Sequence, residues 1–247
     1  ERGWITHLAT NGAATVHDFE LAMGVGTSEN VAHWIGEGQF GLWHEPGRIN
    51  PIVEEAAERG EGIGEALGRS ICTAELPNAD LSLFAAGWRR HVPVTVHVGI
   101  GSDIIHAHAN CRGDAWGAAS YTDFLIFAKS LQTLQGGVFL NVGSAITGPE
   151  VFLKALSMAR NVAKQKSQSL SQFTTAVFDL VDLPDSFRSG PPGKGHPAYY
   201  YRPWKTLLVR TVADGGSSFY FKGDHGQTIP SLWHQLQQQN QLKKLAG

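Results

Sequence analysis

Short runs of apolar and β-branched residues alternate with stretches of helical period along most of this chain, and that alternation limits the fold more than any other feature. The runs Trp4 to Ala9, Val92 to Ile100, Gly137 to Val142, Phe173 to Val181, Thr206 to Val212 and Ser218 to Phe221 have the length and residue types of strands. The clearest helical stretch runs from Pro149 through Val151, Ala155, Met158, Ala159 and Val162, and Pro149 suits the first turn because its missing N–H would be unpaired there anyway. A second helix is expected to start at Asn50-Pro51, and a third near Ser120 to Asp123, carrying Phe124, Phe127, Ala128 and Leu131 on one side. Thr228 reads as the cap of a last helix through Leu232, Trp233 and Leu236. Ala213-Asp214-Gly215-Gly216, between two expected strands, reads as a hairpin turn. Strands alternating with helices predict an α/β fold, a mostly parallel sheet with helices on both faces, and ligands at the carboxyl ends of its strands.

At 247 residues and 42% hydrophobic, the chain can bury a full core, and residues 1–247 are expected to form one domain. Charged residues make up 17%, below the quarter or so usual for soluble domains, so part of the surface is expected to face another subunit. Twenty basic against twenty-two acidic residues, with no like-charge block, argue against nucleic acid and anionic membranes as partners. Cys72 and Cys111 form no disulfide framework, and no apolar run approaches the ~18 residues of a membrane span, which together fit the cytoplasm. The chain starts at Glu1 and enters an apolar run at once, which suggests an incomplete front end.

Four stretches are candidates for chemistry. "THLATNGAATVHDFELAMGVG" (6–26) leaves a strand through a small-residue turn at Thr10, Asn11 and Gly12 into a helix with His17 and Asp18, a geometry in which a nucleotide can approach backbone N–H groups, although no G-x-G-x-x-G is present. "PVTVHVGIGSDIIHAHANCRGD" (93–114) ends a strand with Gly101, Ser102 and Asp103 followed by His106 and His108; this is a zinc-like set, or a pair of strand-end histidines bonded to backbone. "GGVFLNVGSAITGPEVFLKAL" (136–156) brings Asn141, Gly143 and Ser144 to a strand end before a helix, which reads as a nucleotide pocket or an ordinary connection. In "KGHPAYYYRPWKTLLVR" (194–210), Lys205 stands among Tyr199, Tyr200, Tyr201, Trp204 and an apolar run, where a partly desolvated amine could act as a nucleophile.

Over nearly its whole length the chain resembles the deoxyhypusine synthase family, in particular its bacterial deoxyhypusine synthase-like members, through "ATNGAATVHDFE", "FGLWHEPG", "PVTVHVGIGSDIIH", "GGVFLNVGSAITGPEVFLKAL", "YYYRPWK" and "GDHGQTIPSLW". The resemblance implies a Rossmann-like fold that lacks the family's first strand–helix unit, a homotetramer, and NAD-dependent transfer of an aminobutyl group from a spermidine-like polyamine to an amine acceptor. That acceptor is a protein lysine in some members and a free polyamine in others. The family's catalytic lysine follows a proline by eight residues in P-D-E-x-x-S-W-G-K, and Lys205 follows Pro197 at that spacing. The resemblance therefore makes Lys205 the covalent carrier, with Tyr199 and Trp204 at the substrate and His106 or His17 as a proton shuttle. It places Thr10, Asn11, Gly12, His17, Asp18, Gly101, Ser102, Asp103, Asn141, Gly143, Ser144, Asp224 and His225 against NAD.

The chain departs from the pattern in two places. Ala198-Tyr199 replaces the family's Asp-Glu and Pro203-Trp204 its Trp-Gly, while Ile100-Gly101-Ser102-Asp103-Ile104-Ile105-His106 moves one carboxylate and replaces another by histidine. Two other readings stand beside the resemblance: a metal-dependent hydrolase using the His106-x-His108 pair with Asp103, and, from the altered carboxylates and the missing front unit, a non-catalytic paralogue acting as an assembly partner.

Overall fold

The computed structural model of the chain describes residues 2–26 and 28–245. The fold is mixed α/β, and it divides into two compact units, Glu1–Ser130 and Leu131–Gly247, where the sequence suggests one domain. The first unit begins with β1 (Leu8–Asn11) and α1 (Gly12–Met23), followed by two short helices, α2 (Val31–Gly36) and α3 (His44–Gly47). Then come α4 (Ile49–Arg59), α5 (Ile63–Thr73), α6 (Leu83–Arg90), β2 (Val94–His97) and α7 (Gly113–Leu131).

β1 and β2 pair in parallel from Leu8↔Val94 to Asn11↔His97. The strand expected at Trp4 to Ala9 therefore sits further along the chain. Pairing starts where β2 supplies a partner, and Leu8 N–H already bonds Pro93 O at the edge of that partner. The far edge of β2 is closed by side chains of α7: Ser120 Oγ donates to Val96 O at 2.8 Å and accepts from Val98 N–H at 3.2 Å, while Asp123 Oδ2 accepts from Val96 N–H at 2.8 Å. An exposed strand edge is a template for aggregation, and polar side chains pairing its backbone groups remove that template. The core of this unit is formed by Phe19, Ile49, Val53, Ile63, Leu67, Ile71, Phe84, Val96 and Trp116. Gly64 lets α5 lie directly on β2: a Cβ there would be 1.8 Å from Val94 O.

The second unit contains β3 (Val138–Val142), α8 (Thr147–Gln165), β4 (Thr174–Asp179), β5 (Ser217–Lys222) and α9 (His225–Leu245). Its three strands are parallel in the order β3-β4-β5, with Val138↔Thr174↔Ser217 in register. Phe152, Leu156, Phe173, Val177, Trp204, Leu207 and Leu208 fill its core.

Two expectations are corrected here. Thr206 to Val212 is not a strand; Pro203–Val209 is a π-helical stretch in which Arg210 N–H bonds Lys205 O, followed by a short 3-10 turn, Arg210–Val212. Nor is Ala213 to Gly216 a hairpin turn, because β4 and β5 are parallel neighbours, and a parallel pair requires a crossover rather than a hairpin. The helices expected at Asn50-Pro51, Ser120 to Asp123, Pro149 and Thr228 are α4, α7, α8 and α9. α4 and α8 begin within two residues of the expected points, whereas α7 starts seven residues before Ser120 and α9 starts at His225. No helix among the described residues is long and apolar enough to cross a membrane.

Candidate functional site

In the second unit the carboxyl edge of the sheet gathers Asn141, Ser144, Asp224 and His225. At the end of β3, Asn141 is buried, and its Nδ2 donates to Ser144 O at 3.0 Å. Ser144 Oγ accepts from Gly148 N–H at 2.8 Å, so this hydroxyl caps the start of α8. Gly143 between them has φ +66°, which glycine adopts without strain, and its N–H bonds Phe178 O at 3.0 Å. A Cβ at Gly143 would stand 2.8 Å from His225 Nε2, so the β3 turn and the first residue of α9 touch. Asp224 caps α9 through Oδ1 to Gly226 N–H at 2.8 Å. His225 Nδ1 and Thr228 Oγ1 are buried polar atoms with no partner.

The crossover from β4 to β5 carries the lysine. Tyr201 donates to Asp179 Oδ2 at 2.7 Å, which anchors the crossover to the last residue of β4. Burial, then the Asp179 bond, raise the Tyr201 phenol above its ordinary value, so Tyr201 stays a donor. Arg202 Nε lies 3.3 Å from Glu150 Oε1 in the first turn of α8, and Glu150 also pairs with Lys154. One turn further on, Lys205 is half-buried, with Nζ 4.1 Å from the centroid of the Tyr199 ring. Tyr199 thus lies against the amine.

Trp204 is elsewhere. Its ring is 4% exposed, and Nε1 donates to Phe187 O at 2.8 Å and Gly190 O at 3.1 Å, which makes it a pin for the long loop rather than a substrate wall. Arg188 completes the fastening, with Nε on Ser218 O at 3.0 Å and its guanidinium over Phe187 and Phe219. Trp204→Phe removes the indole donor and leaves two carbonyls without it. A loss of about 1–2 kcal/mol by urea unfolding is expected, together with faster proteolysis between Asp182 and His196.

The first unit has its own carboxyl edge. Asn11 caps α1 by accepting from Ala14 N–H at 3.1 Å, and Thr10 donates to Thr95 O at 3.2 Å. The Asp103 carboxylate stands against Gly12, where a Cβ would lie 2.0 Å from Oδ2. Burial raises the Asp103 carboxyl above the usual range, opposed by His106 and Ser102. Gly101 and Ser102 form the turn before it, with Ser102 Oγ on Gly99 O at 2.6 Å.

His106 Nδ1 accepts from the N–H groups of Gly101 and Asp103, and its ring lies edge-on to Trp116. Burial lowers its affinity for a second proton. His108 Nε2 instead contacts Gly41 O at 3.0 Å. The two rings serve different backbone partners, and no group of three or more ligand-type side chains that could hold a metal ion forms among the described residues.

Asp18 is also committed elsewhere. Oδ1 accepts from Leu83 N–H at 2.7 Å and Oδ2 from Ser82 Oγ, so this buried carboxylate fastens the start of α6 rather than facing a cofactor. His17 projects into solvent, 80% exposed and 3.8 Å from Glu20.

Asp179, Arg202 and Glu150 escaped the sequence reading. Asp179 lay inside an expected strand run ending at Val181, where a carboxylate in an otherwise apolar stretch was the one available signal. Comparison of the chain with protein-family models, with curated proteins and with solved structures finds no match.

In the second unit, the unpartnered atoms of His225 and Thr228 beside the Gly143 turn suit hydroxyl and ring groups. In the first unit, Asp103 at the start of α1 would repel a phosphate but accept from a sugar hydroxyl.

Proposed function

We propose that the chain is an NAD-dependent aminobutyl transferase of the deoxyhypusine synthase type, with a Rossmann-like ancestry for its two parallel sheets and Lys205 as the covalent carrier. The observation that carries this reading is the position of the Lys205 amine: half-buried, on an aromatic face, one turn from the Tyr201–Asp179 anchor at the end of β4. Single π turns recur at functional sites, and Lys205 stands in one. Asn141, Gly143, Ser144 and His225 would hold NAD at the carboxyl edge of the second unit. NAD, when bound, supplies the hydride sink that oxidises a polyamine C–N bond to an imine and returns the hydride at the end.

The chain's own part is transfer. The Lys205 amine adds to the carbon of the protonated imine, one proton passes from lysine to the departing nitrogen, the bond from that carbon to the departing amine breaks, and lysine is left as the protonated imine. An acceptor amine, a protein lysine or a free polyamine, repeats the exchange and frees Lys205. The Tyr199 ring holds the Lys205 amine over its face. The low charge content and the apolar side chains exposed on one face of β3 and β5, Val138, Leu140, Val142, Phe219 and Phe221, support a homo-oligomer.

Borohydride reduction of the full chain with labelled spermidine and NAD tests the assignment. Stable label on the wild type and none on Lys205→Arg is expected. Label that survives the substitution, or wild type that takes up none at saturating NAD, removes Lys205 from this role.

A further inference from the structure

Outside the proposed site, the first unit buries a continuous chain of polar side chains. His7 Nδ1 lies 2.9 Å from Ser130 Oγ, His7 Nε2 lies 2.9 Å from Thr95 Oγ1, and Thr95 Oγ1 lies 3.1 Å from His97 Nε2. Phe127 packs on both rings, with centroids 5.2 Å from His7 and 5.4 Å from His97. His7 directly precedes β1, Thr95 and His97 lie on β2, and Phe127 and Ser130 lie on α7, so the chain fastens α7 to the sheet. Thr95 has one hydroxyl proton and a ring nitrogen on each side. One imidazole therefore accepts from Thr95 while the other donates to it, and both directions of the chain keep all four groups paired while the rings are neutral.

We propose that this chain is an acid-sensitive clasp: protonation of His7 and His97 releases α7 from the β1–β2 sheet, and with it the turns at Thr10–Gly12 and Gly101–Asp103. A charged ring here has no carboxylate to face. β1 offers no titratable group, and β2 offers only His97 itself. α7 offers Asp114, Tyr121, Asp123 and Lys129; of these only Asp123 is buried, with Oδ2 taken by the N–H groups of Val96 and Gly64 and Oδ1 without a partner. The other helices packed on the sheet carry His17, Asp18 and Glu20 on α1, Glu65, Arg69 and Cys72 on α5, and Arg89 and Arg90 on α6, and neither ring's proton affinity is raised by any carboxylate. Burial lowers both histidines to about 4, and for His7 the neighbouring His97 adds to the effect.

The sign follows. Each ring is protonated in the unfolded chain below about pH 6.5 and neutral in the folded one, so its contribution is full above 6.5 and is lost as pH falls through 4. Each ring therefore lowers the folding constant by up to about tenfold per pH unit over that window. Asp123, raised to about 7, acts in the opposite direction over the same range.

Urea unfolding of the full chain at pH 4 to 8, with NMR titration of the histidine rings, tests the clasp. Gln places an amide near the Nε2 position without a titration. His97→Gln and His7→Gln are each expected to reduce the slope of stability against pH by about one tenfold step per unit, and Asp123→Asn to increase it by one. Slopes unchanged in the Gln variants, or rings that titrate at 6.5 or above in the folded chain, overturn the proposal. Should the Gln variants not fold, amide exchange of the wild type near pH 4.5 decides. Protection lost from β1, β2 and α7 together while β4 keeps its own supports the clasp, and simultaneous loss from β4 overturns it.

Discussion

Gly64→Ala is expected to cost at least about 4 kcal/mol, a large share of a total stability of roughly 5–15 kcal/mol. The added Cβ would lie 1.8 Å from Val94 O, 2.5 Å from Val94 C and 3.3 Å from Thr95 N. All three are backbone atoms of β2, which cannot turn aside as a side chain would. Relief requires α5 to move off the sheet, which opens the contacts of Ile63, Leu67 and Ile71, all fully buried. Ordinary overpacking costs about 1–3 kcal/mol because neighbouring side chains shift, and that route is closed here. Gly117 in α7 is the control: its Cβ would meet nothing within 4 Å, so Gly117→Ala is expected to stabilise by about 0.5–1 kcal/mol. Parallel urea titrations check both, and a Gly64→Ala midpoint close to wild type would contradict the packing of α5 on β2.

Asp123→Ala is expected to cost about 3–5 kcal/mol, because one carboxylate does two structural tasks. Oδ2 accepts from Val96 N–H at 2.8 Å and from Gly64 N–H at 3.2 Å, joining the edge of β2 to the start of α5. Gly62, the residue before that helix, has no side chain to cap it, so α7 provides the acceptor from outside. Alanine leaves both N–H groups buried without a partner, at about 1–3 kcal/mol each. Asp123→Asn keeps an oxygen for those bonds, and its pH behaviour separates charge from hydrogen bonding. Burial pushes the Asp123 carboxyl up to about 7. A group raised in the fold stabilises fully below its unfolded value, near 4, and that contribution is lost as pH rises through 7. Asn has no such loss, so the deficit of Asp123→Asn relative to wild type should shrink between pH 4 and 7, by up to about 1.4 kcal/mol per unit. A deficit independent of pH would show that the carboxyl is already ionised in the folded chain.

The strands of the second unit were readable in the sequence because β-branched and aromatic residues fill them and glycines or polar residues bound them. β3, β4 and β5 lie inside or within one residue of the expected runs. Thr206 to Val212 was misread for a definite reason: a short apolar run buried on all sides has no period to separate strand from helix. Leu207 and Leu208 are about 1% exposed or less. The turn at Ala213 misled because the run before it is not a strand: the segment joins the 3-10 turn Arg210–Val212 to β5, which pairs in parallel with β4.

Lys205 stood out in the sequence for its aromatic and apolar company, and the structure sets its amine over the Tyr199 ring. Asp18 and Trp204 carry the residue types of a binding site but spend their polar atoms on Leu83, Ser82, Phe187 and Gly190, partners far along the chain or across a loop that no local pattern exposes.

Every strand pair in both units is parallel, and Leu8 must find Val94 before the first sheet exists. No neighbouring segments can zip together locally, so loop-closure entropy opposes the earliest sheet contacts and falls on an assembly already framed by helices. Refolding from urea should therefore be slow for a domain this helical, with far-UV helix signal recovering well ahead of native tryptophan fluorescence, and the interval between the two is when the unpaired edges are open to self-association.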